Sequence, residues 1–261
     1  MTENSLKAMC RDGRLHVGHF VVEFATPGIG HVLAGAGAGF CFLDMEHSGF
    51  SFDTVKAALR FLQAAEVPTL VRVPSKAYDH VARALDCGAE GVMVPMVGTA
   101  GEAAALARHA LYPPRGQRGC AFGIAHDRYR PGPAAAKMQA ANARTTVFAL
   151  VETAEGARNA DAIAATEGVD CIWVGHFDLS ASLGAPGDFA CAPYRTALEG
   201  ICAAAKRHGK ALGRLVGSMA EAEEAVRDGF TLICYGGDLW LLQSAIAEGV
   251  RGIRALERTA R

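Results

Sequence analysis

Short apolar runs of strand length alternate with longer stretches of helical periodicity, and they do so eight times along the chain. The runs fall at residues 19–23, 41–45, 69–73, 91–96, 147–152, 171–175, 211–216 and 231–235. Helical patterns follow them at 28–36, 52–65, 78–87, 101–111, 156–166, 194–208, 220–228 and 239–256. Eight strand–helix units in 261 residues average about 33 residues each, which suits a (β/α)8 TIM barrel. A doubly wound open sheet competes, but a Gly-x-Gly-x-x-Gly turn after the first strand would favour it. The glycine-rich segment Gly35-Ala36-Gly37-Ala38-Gly39 precedes the second strand and opens no helix, so it predicts a helix end and a turn. The expectation is one TIM-barrel domain spanning residues 1–261.

One stretch concentrates chemistry. Phe40-Cys41-Phe42-Leu43 has the apolar continuity of a strand covered on both faces, and Asp44-Met45-Glu46-His47 follows at once. Ser51 or Asp53 then caps the next helix. Ionisable groups crowded at the end of a buried strand destabilise a fold unless they meet something. A polar turn facing water is the plain reading of this stretch, and one wall of an active site is the sharper one.

Composition excludes several classes of partner. A formal net charge of -1 with no basic tract gives no reason to expect nucleic acid or an anionic membrane surface. Eight cysteines without a Cys-x-x-Cys spacing predict reduced, mostly buried thiols in a cytoplasmic protein. No apolar run reaches the ~18 residues that span a bilayer, and the first residues lack the apolar core of a signal peptide. The segment from Tyr112-Pro113-Pro114 to Arg130-Pro131-Gly132-Pro133 breaks the regular spacing and carries Arg115, Arg118, His126, Asp127, Arg128 and Arg130. A loop this long predicts a lid or an oligomer contact, ending in a short helix over 134–143.

In a TIM barrel the chemistry sits at the carboxyl ends of the strands. Asp44, Glu46 and His47 end the second strand, Arg72 lies in the third, Glu152 ends the fifth and Asp178 follows the sixth. Carboxylates from neighbouring strands repel one another unless a cation lies between them, and oxygen ligands suit Mg2+, Mn2+ or Co2+ better than zinc. Arg72 in an otherwise apolar strand serves either a structural salt bridge or a developing enolate charge. His47 is the residue type suited to proton transfer near neutral pH, although a histidine after a strand is also a common turn residue.

These residues carry a resemblance. Asp44-Met45-Glu46-His47, Arg72, Val94-Pro95-Met96-Val97, Tyr112-Pro113-Pro114-Arg115-Gly116-Gln117-Arg118-Gly119, Glu152-Thr153 and Gly175-His176-Phe177-Asp178-Leu179-Ser180 stand in the order and spacing of the HpcH/HpaI aldolase family. The match covers roughly residues 18–250. The resemblance implies a metal-dependent class II pyruvate aldolase of the 4-hydroxy-2-oxoheptanedioate or 2-keto-3-deoxy-sugar-acid kind. Glu152 and Asp178 match the family's metal ligands, and Asp44 an aspartate near the metal-bound water. Arg72 matches the arginine that stabilises the enolate, and His47 the base. The backbone N–H groups of Phe177 and Asp178 would meet the pyruvate carboxylate. Asp86 matches an aspartate paired with the family histidine. It falls at the far end of a helix, so it would reach His47 only across a subunit interface, as in the hexamers typical of the family.

Three positions depart from the family pattern: Leu150 stands where a glutamine is common, His176 where a proline is, and Met45 where a glycine is. The expected reaction is reversible cleavage of a 4-hydroxy-2-oxo acid to pyruvate and an aldehyde. The absence of a lysine at a comparable strand end argues against a Schiff-base aldolase. Alternatives are another enolate-forming lyase or decarboxylase, acting on oxaloacetate or an acyl thioester, and a barrel that binds a metabolite without turnover.

Overall fold

A computed structural model describes residues 5–259 and shows eight parallel strands closed into a barrel in chain order. The strands are β1 (His16–Val21), β2 (Phe40–Asp44), β3 (Thr69–Arg72), β4 (Gly91–Val94), β5 (Thr146–Val151), β6 (Cys171–Val174), β7 (Ala211–Val216) and β8 (Leu232–Gly237). The expected (β/α)8 architecture is therefore the one observed.

Alternation along each strand sorts two cores. Phe40 and Phe42 point into the barrel with Phe20, Leu70, Met93, Phe148, Leu150 and Trp173. Cys41 and Leu43 point outward, against the surrounding helices. Two glycines make room for the interior aromatics. A Cβ at Gly213 would lie 2.1 Å from the Trp173 ring, and one at Gly18 would lie 2.7 Å from the Phe40 ring.

β1 begins three residues earlier than the apolar run suggests and stops at Val21. Beyond it, the N–H groups of Val22, Glu23 and Phe24 donate to the carboxylate of Asp238, so a side chain takes over from the sheet ladder. The helix expected over 156–166 is two helices, Ala154–Arg158 and Ala160–Ala165, divided at Asn159, whose side-chain amide donates to the Gly98 carbonyl. Two short helices had no periodic signal. Leu6–Met9 closes the lower end of the barrel, where Lys7 is buried against Asp170 at 2.7 Å. His176–Ser182 follows β6 directly and carries part of the site.

The long charged loop lies at the end of the barrel away from the strand tips. Arg118 donates to Asp86 at 2.5 Å, and Arg60 ties the Ala125 carbonyl to that of Cys87. It therefore does not cover the mouth of its own barrel. The final helix, Asp238–Thr259, leaves Leu242, Ile246, Val250 and Ile253 exposed along one face. Among the described residues, no helix is long and apolar enough to cross a membrane.

Candidate active site

β2 and β3 pair with Asp44 directly opposite Arg72, so both side chains enter the barrel mouth side by side. Arg72 Nε donates to Asp44 Oδ1 at 2.7 Å and Nη2 donates to Oδ2 at 2.9 Å, a two-point fork. Asp44 is fully buried and also accepts the backbone N–H groups of Glu46 and His47. Its two oxygens are thus committed to holding the arginine and the turn after β2. The third guanidinium nitrogen, Arg72 Nη1, lies 3.1 Å from Glu46 Oε2. Beneath it, the guanidinium sits 5.4 Å from the Phe42 ring centroid and 5.8 Å from that of Phe20.

Glu152 follows the last residue of β5 and is 3% exposed. Its Oε1 accepts the Met96 N–H at 2.7 Å, and Met96 holds the left-handed backbone conformation, φ 58°, that aims this donor. Gly175 faces the same carboxylate: a Cβ there would lie 2.4 Å from Glu152 Oε2. Burial pushes the Glu152 carboxyl up to about 7, with the Glu46 and Asp178 charges adding to the shift, while the Met96 N–H and Arg72 oppose it. Glu46 is raised as well, first by burial, with Asp44 and Asp178 contributing. Its Oε2 is buried, with the Arg72 guanidinium as its ion-pair partner.

Asp178 lies in the first turn of the helix His176–Ser182, whose leading N–H groups have no intrahelical acceptor. His176 is buried and its pKa is lowered to about 4 by desolvation and the Arg214 charge. It packs against Phe177 and Phe189, with centroids 4.7 and 5.2 Å away. His47 stands at the rim with its side chain 64% exposed, and its Nε2 is 4.0 Å from Glu46 Oε2.

Arg72, Glu152, His176, Asp178 and His47 share one cavity of about 370 Å3. Those five form one polar wall; Phe20, Val22, Leu150, Trp173, Leu215 and Trp240 are among the cavity's apolar lining, and Glu23 stands beside Val22. A second cavity, of about 260 Å3 beside Glu90, His126 and Arg144, opens at the opposite end of the barrel.

Five of the sequence-derived residues therefore come together in the mouth: His47, Arg72, Glu152, Phe177 and Asp178. Asp44 lies immediately behind Arg72. Asp86 does not join them within the chain; it ends the helix Tyr78–Asp86 at the far side and pairs with Arg118. Sequence reasoning gave no role to the Met96 N–H, to Gly175 or to the Phe20–Trp240 pair. Main-chain donors and glycine clearances leave no chemical signature in a sequence.

A divalent cation fits this donor set. Glu152 is a buried carboxylate held by one N–H and surrounded by further negative charge, and the clearance at Gly175 leaves its second oxygen accessible. Among the described residues no group of three or more His, Cys, Asp or Glu is placed to hold a metal ion by itself. Glu152 and Asp178 would supply two ligands and leave the other positions to the reacting molecule and water.

The sequence profile of the family described as HpcH/HpaI aldolase/citrate lyase matches residues 19–245. The chain belongs to that family. It is a class II pyruvate aldolase, a carbon–carbon lyase, which sets aside a barrel without turnover. A hydroxypyruvate/pyruvate aldolase of Paraburkholderia phytofirmans is 36% identical over 229 residues, 85% of this chain and 87% of the relative. A 5-keto-4-deoxy-D-glucarate aldolase of Klebsiella pneumoniae is 33% identical over 242 residues, 93% of each chain. The crystal structure of an HpcH/HpaI aldolase/citrate lyase family protein from Burkholderia cenocepacia superposes with a TM-score of 0.90 at 35% identity, covering 96% of this chain and 99% of that one.

Proposed function

We propose that this aldolase reversibly cleaves a 4-hydroxy-2-oxo acid, a 2-keto-3-deoxy acid, to pyruvate and an aldehyde, with Glu152 and Asp178 holding a divalent Mg2+, Mn2+ or Co2+ ion. The observation that carries this reading is the pairing of two opposite devices in one mouth. Glu152 is a buried carboxylate lifted to about 7 by burial and neighbouring acids, while Arg72 is a buried cation fixed on Asp44. The first wants a positive charge, and the second is placed to meet a negative one. The ion, when bound, supplies Lewis-acid stabilisation of the charge that develops on the keto oxygen.

The protein's own groups account for the rest. His47, at the rim, takes the proton of the C4 hydroxyl, and the C3–C4 bond breaks to release the aldehyde. Its exposure leaves the imidazole open to solvent and to the incoming hydroxyl. Arg72 donates to the enolate oxygen, and because the fork to Asp44 already orients it, little reorganisation is needed as charge appears. The leading N–H groups of the helix His176–Ser182, at Phe177 and Asp178, receive the pyruvate carboxylate. The enolate carbon then takes a proton to complete pyruvate.

The exposed apolar face of the helix Asp238–Thr259 supports assembly into a homo-oligomer, in which Asp86 of one subunit would serve His47 of the next. Eight free cysteines suit a reducing, cytoplasmic setting. The test is pyruvate release from a panel of 4-hydroxy-2-oxo acids, before chelation, after it, and with each metal restored. Activity should vanish on chelation and return with metal. Unchanged activity after exhaustive chelation contradicts the reading.

A further inference from the structure

The cavity is two-sided. Its ionic groups other than Glu23 stand at the ends of β2, β3 and β5 and in the turn after β6, where the pyruvate half would bind. The opposite wall comes from β1, β7 and the start of the last helix, and its side chains are Phe20, Val22, Leu215, Leu239 and Trp240. Those five side chains offer one polar group, the Trp240 indole N–H, and Glu23 beside them adds a carboxylate acceptor but no donor. The floor continues the same character: Leu150 and Trp173 pair in register, and both are almost fully buried.

This wall is built rather than left over. Phe20 stacks on Trp240 at 5.9 Å and meets Phe42 edge-on at 4.7 Å, while Phe42 meets Trp173 at 5.4 Å. A Cβ at Gly237 would lie 2.5 Å from the Trp240 ring, so a glycine is needed for the indole to lie against Phe20. A polyol tail placed here would regain only the Trp240 N–H and the Glu23 carboxylate for the water that its several hydroxyls lose, and a second carboxylate would face the Glu23 charge.

We infer that the aldehyde half of the substrate carries an uncharged hydrocarbon group, aryl or branched alkyl, seated between Phe20, Leu215 and Trp240. This rests on the aldol reading above and narrows it. In R–CH(OH)–CH2–CO–COO−, the C3–C4 bond breaks, R–CHO leaves toward the apolar wall, and the hydroxyl proton is balanced by the one gained at the pyruvate methyl.

The experiment compares kcat/KM of the metal-loaded enzyme for 4-hydroxy-2-oxo-4-phenylbutanoate, its isopropyl counterpart and a polyhydroxylated 2-keto-3-deoxy hexarate. Exchange of pyruvate methyl protons is followed in parallel. The phenyl or isopropyl acid should be preferred by at least ~10-fold. Leu215→Asn and Trp240→Ser should each move that ratio toward the polyol. Intact exchange with equal or reversed preference overturns the substrate class alone. So does an unmoved ratio in both variants. Loss of exchange together with cleavage overturns the enolate reading and this inference with it.

Discussion

Arg72 grips Asp44 through both edges of its guanidinium, 2.7 Å at Nε and 2.9 Å at Nη2, while Nη1 stays 3.1 Å from Glu46. The fork fixes the cation before any substrate arrives. Lysine preserves the charge but not the planar pair of donors. Arg72→Lys should therefore lower kcat by about two orders of magnitude, the usual cost of roughly 3 kcal/mol for a lost donor to a developing oxyanion. Single-turnover cleavage checks it, and a wild-type rate would make Arg72 a structural residue only.

Asp44 is the other half of the same relationship, and its side chain is fully buried beside an arginine side chain that is 11% exposed. Asp44→Asn leaves a largely buried cation without its counter-charge, which typically costs about 3–5 kcal/mol. Chemical denaturation should show that loss. A variant as stable as the parent would mean that Glu46 alone neutralises Arg72.

Gly175→Ala tests the position of Glu152. The added methyl would lie 2.4 Å from Glu152 Oε2 and 2.7 Å from its Cβ, so the carboxylate must shift. Displacements of about 1 Å at a reacting centre cost on the order of 100-fold in rate. The variant should keep its circular dichroism, lose that factor in turnover and bind Mn2+ more weakly. Unchanged turnover would show slack in the Glu152 site.

The metal-free protein should carry a distinctive pH signature. Glu152 titrates near 7 in the folded state against 4.5 when unfolded, so between these values the folded chain binds more protons and its stability falls as pH rises. His176 acts oppositely: held near 4 against 6.5, it makes the unfolded chain bind more protons, and stability rises from about pH 4 to 6.5. The two partly cancel in the wild type. Glu152→Gln should remove the first contribution, so its thermal midpoint, measured without metal, should climb relative to the parent as pH increases from 4.5 to 7. A parallel pair of curves would contradict the assignment.

Much of this was legible in the sequence. Eight strands were placed by their apolar runs, seven of them within about two residues, because strands buried on both faces have few polar interruptions. β1 was misplaced since His16 and Val17 are partly exposed and the ladder is replaced beyond Val21 by Asp238, a contact between opposite ends of the chain. Arg72, Asp44, Glu152 and Asp178 were readable because charge at the end of an apolar run is unusual. The left-handed turn at Met96, the clearance at Gly175 and the stacking of Phe20 on Trp240 were not, because each depends on residues far apart in sequence meeting in space. Asp86 was assigned a place across an interface. Its pairing with Arg118 inside the chain adds a competitor that spacing alone did not reveal.

If Glu152 and Asp178 hold a divalent ion that makes pyruvate's enolate accessible, the enzyme should exchange pyruvate's methyl protons with deuterated water, a measurement free of any question about the aldehyde. Exchange is expected in the metal-loaded enzyme, with loss on chelation, return with Mg2+, Mn2+ or Co2+, and no return in folded Glu152→Gln. Exchange at the full rate in the chelated enzyme, or in Glu152→Gln, would contradict that role of the ion.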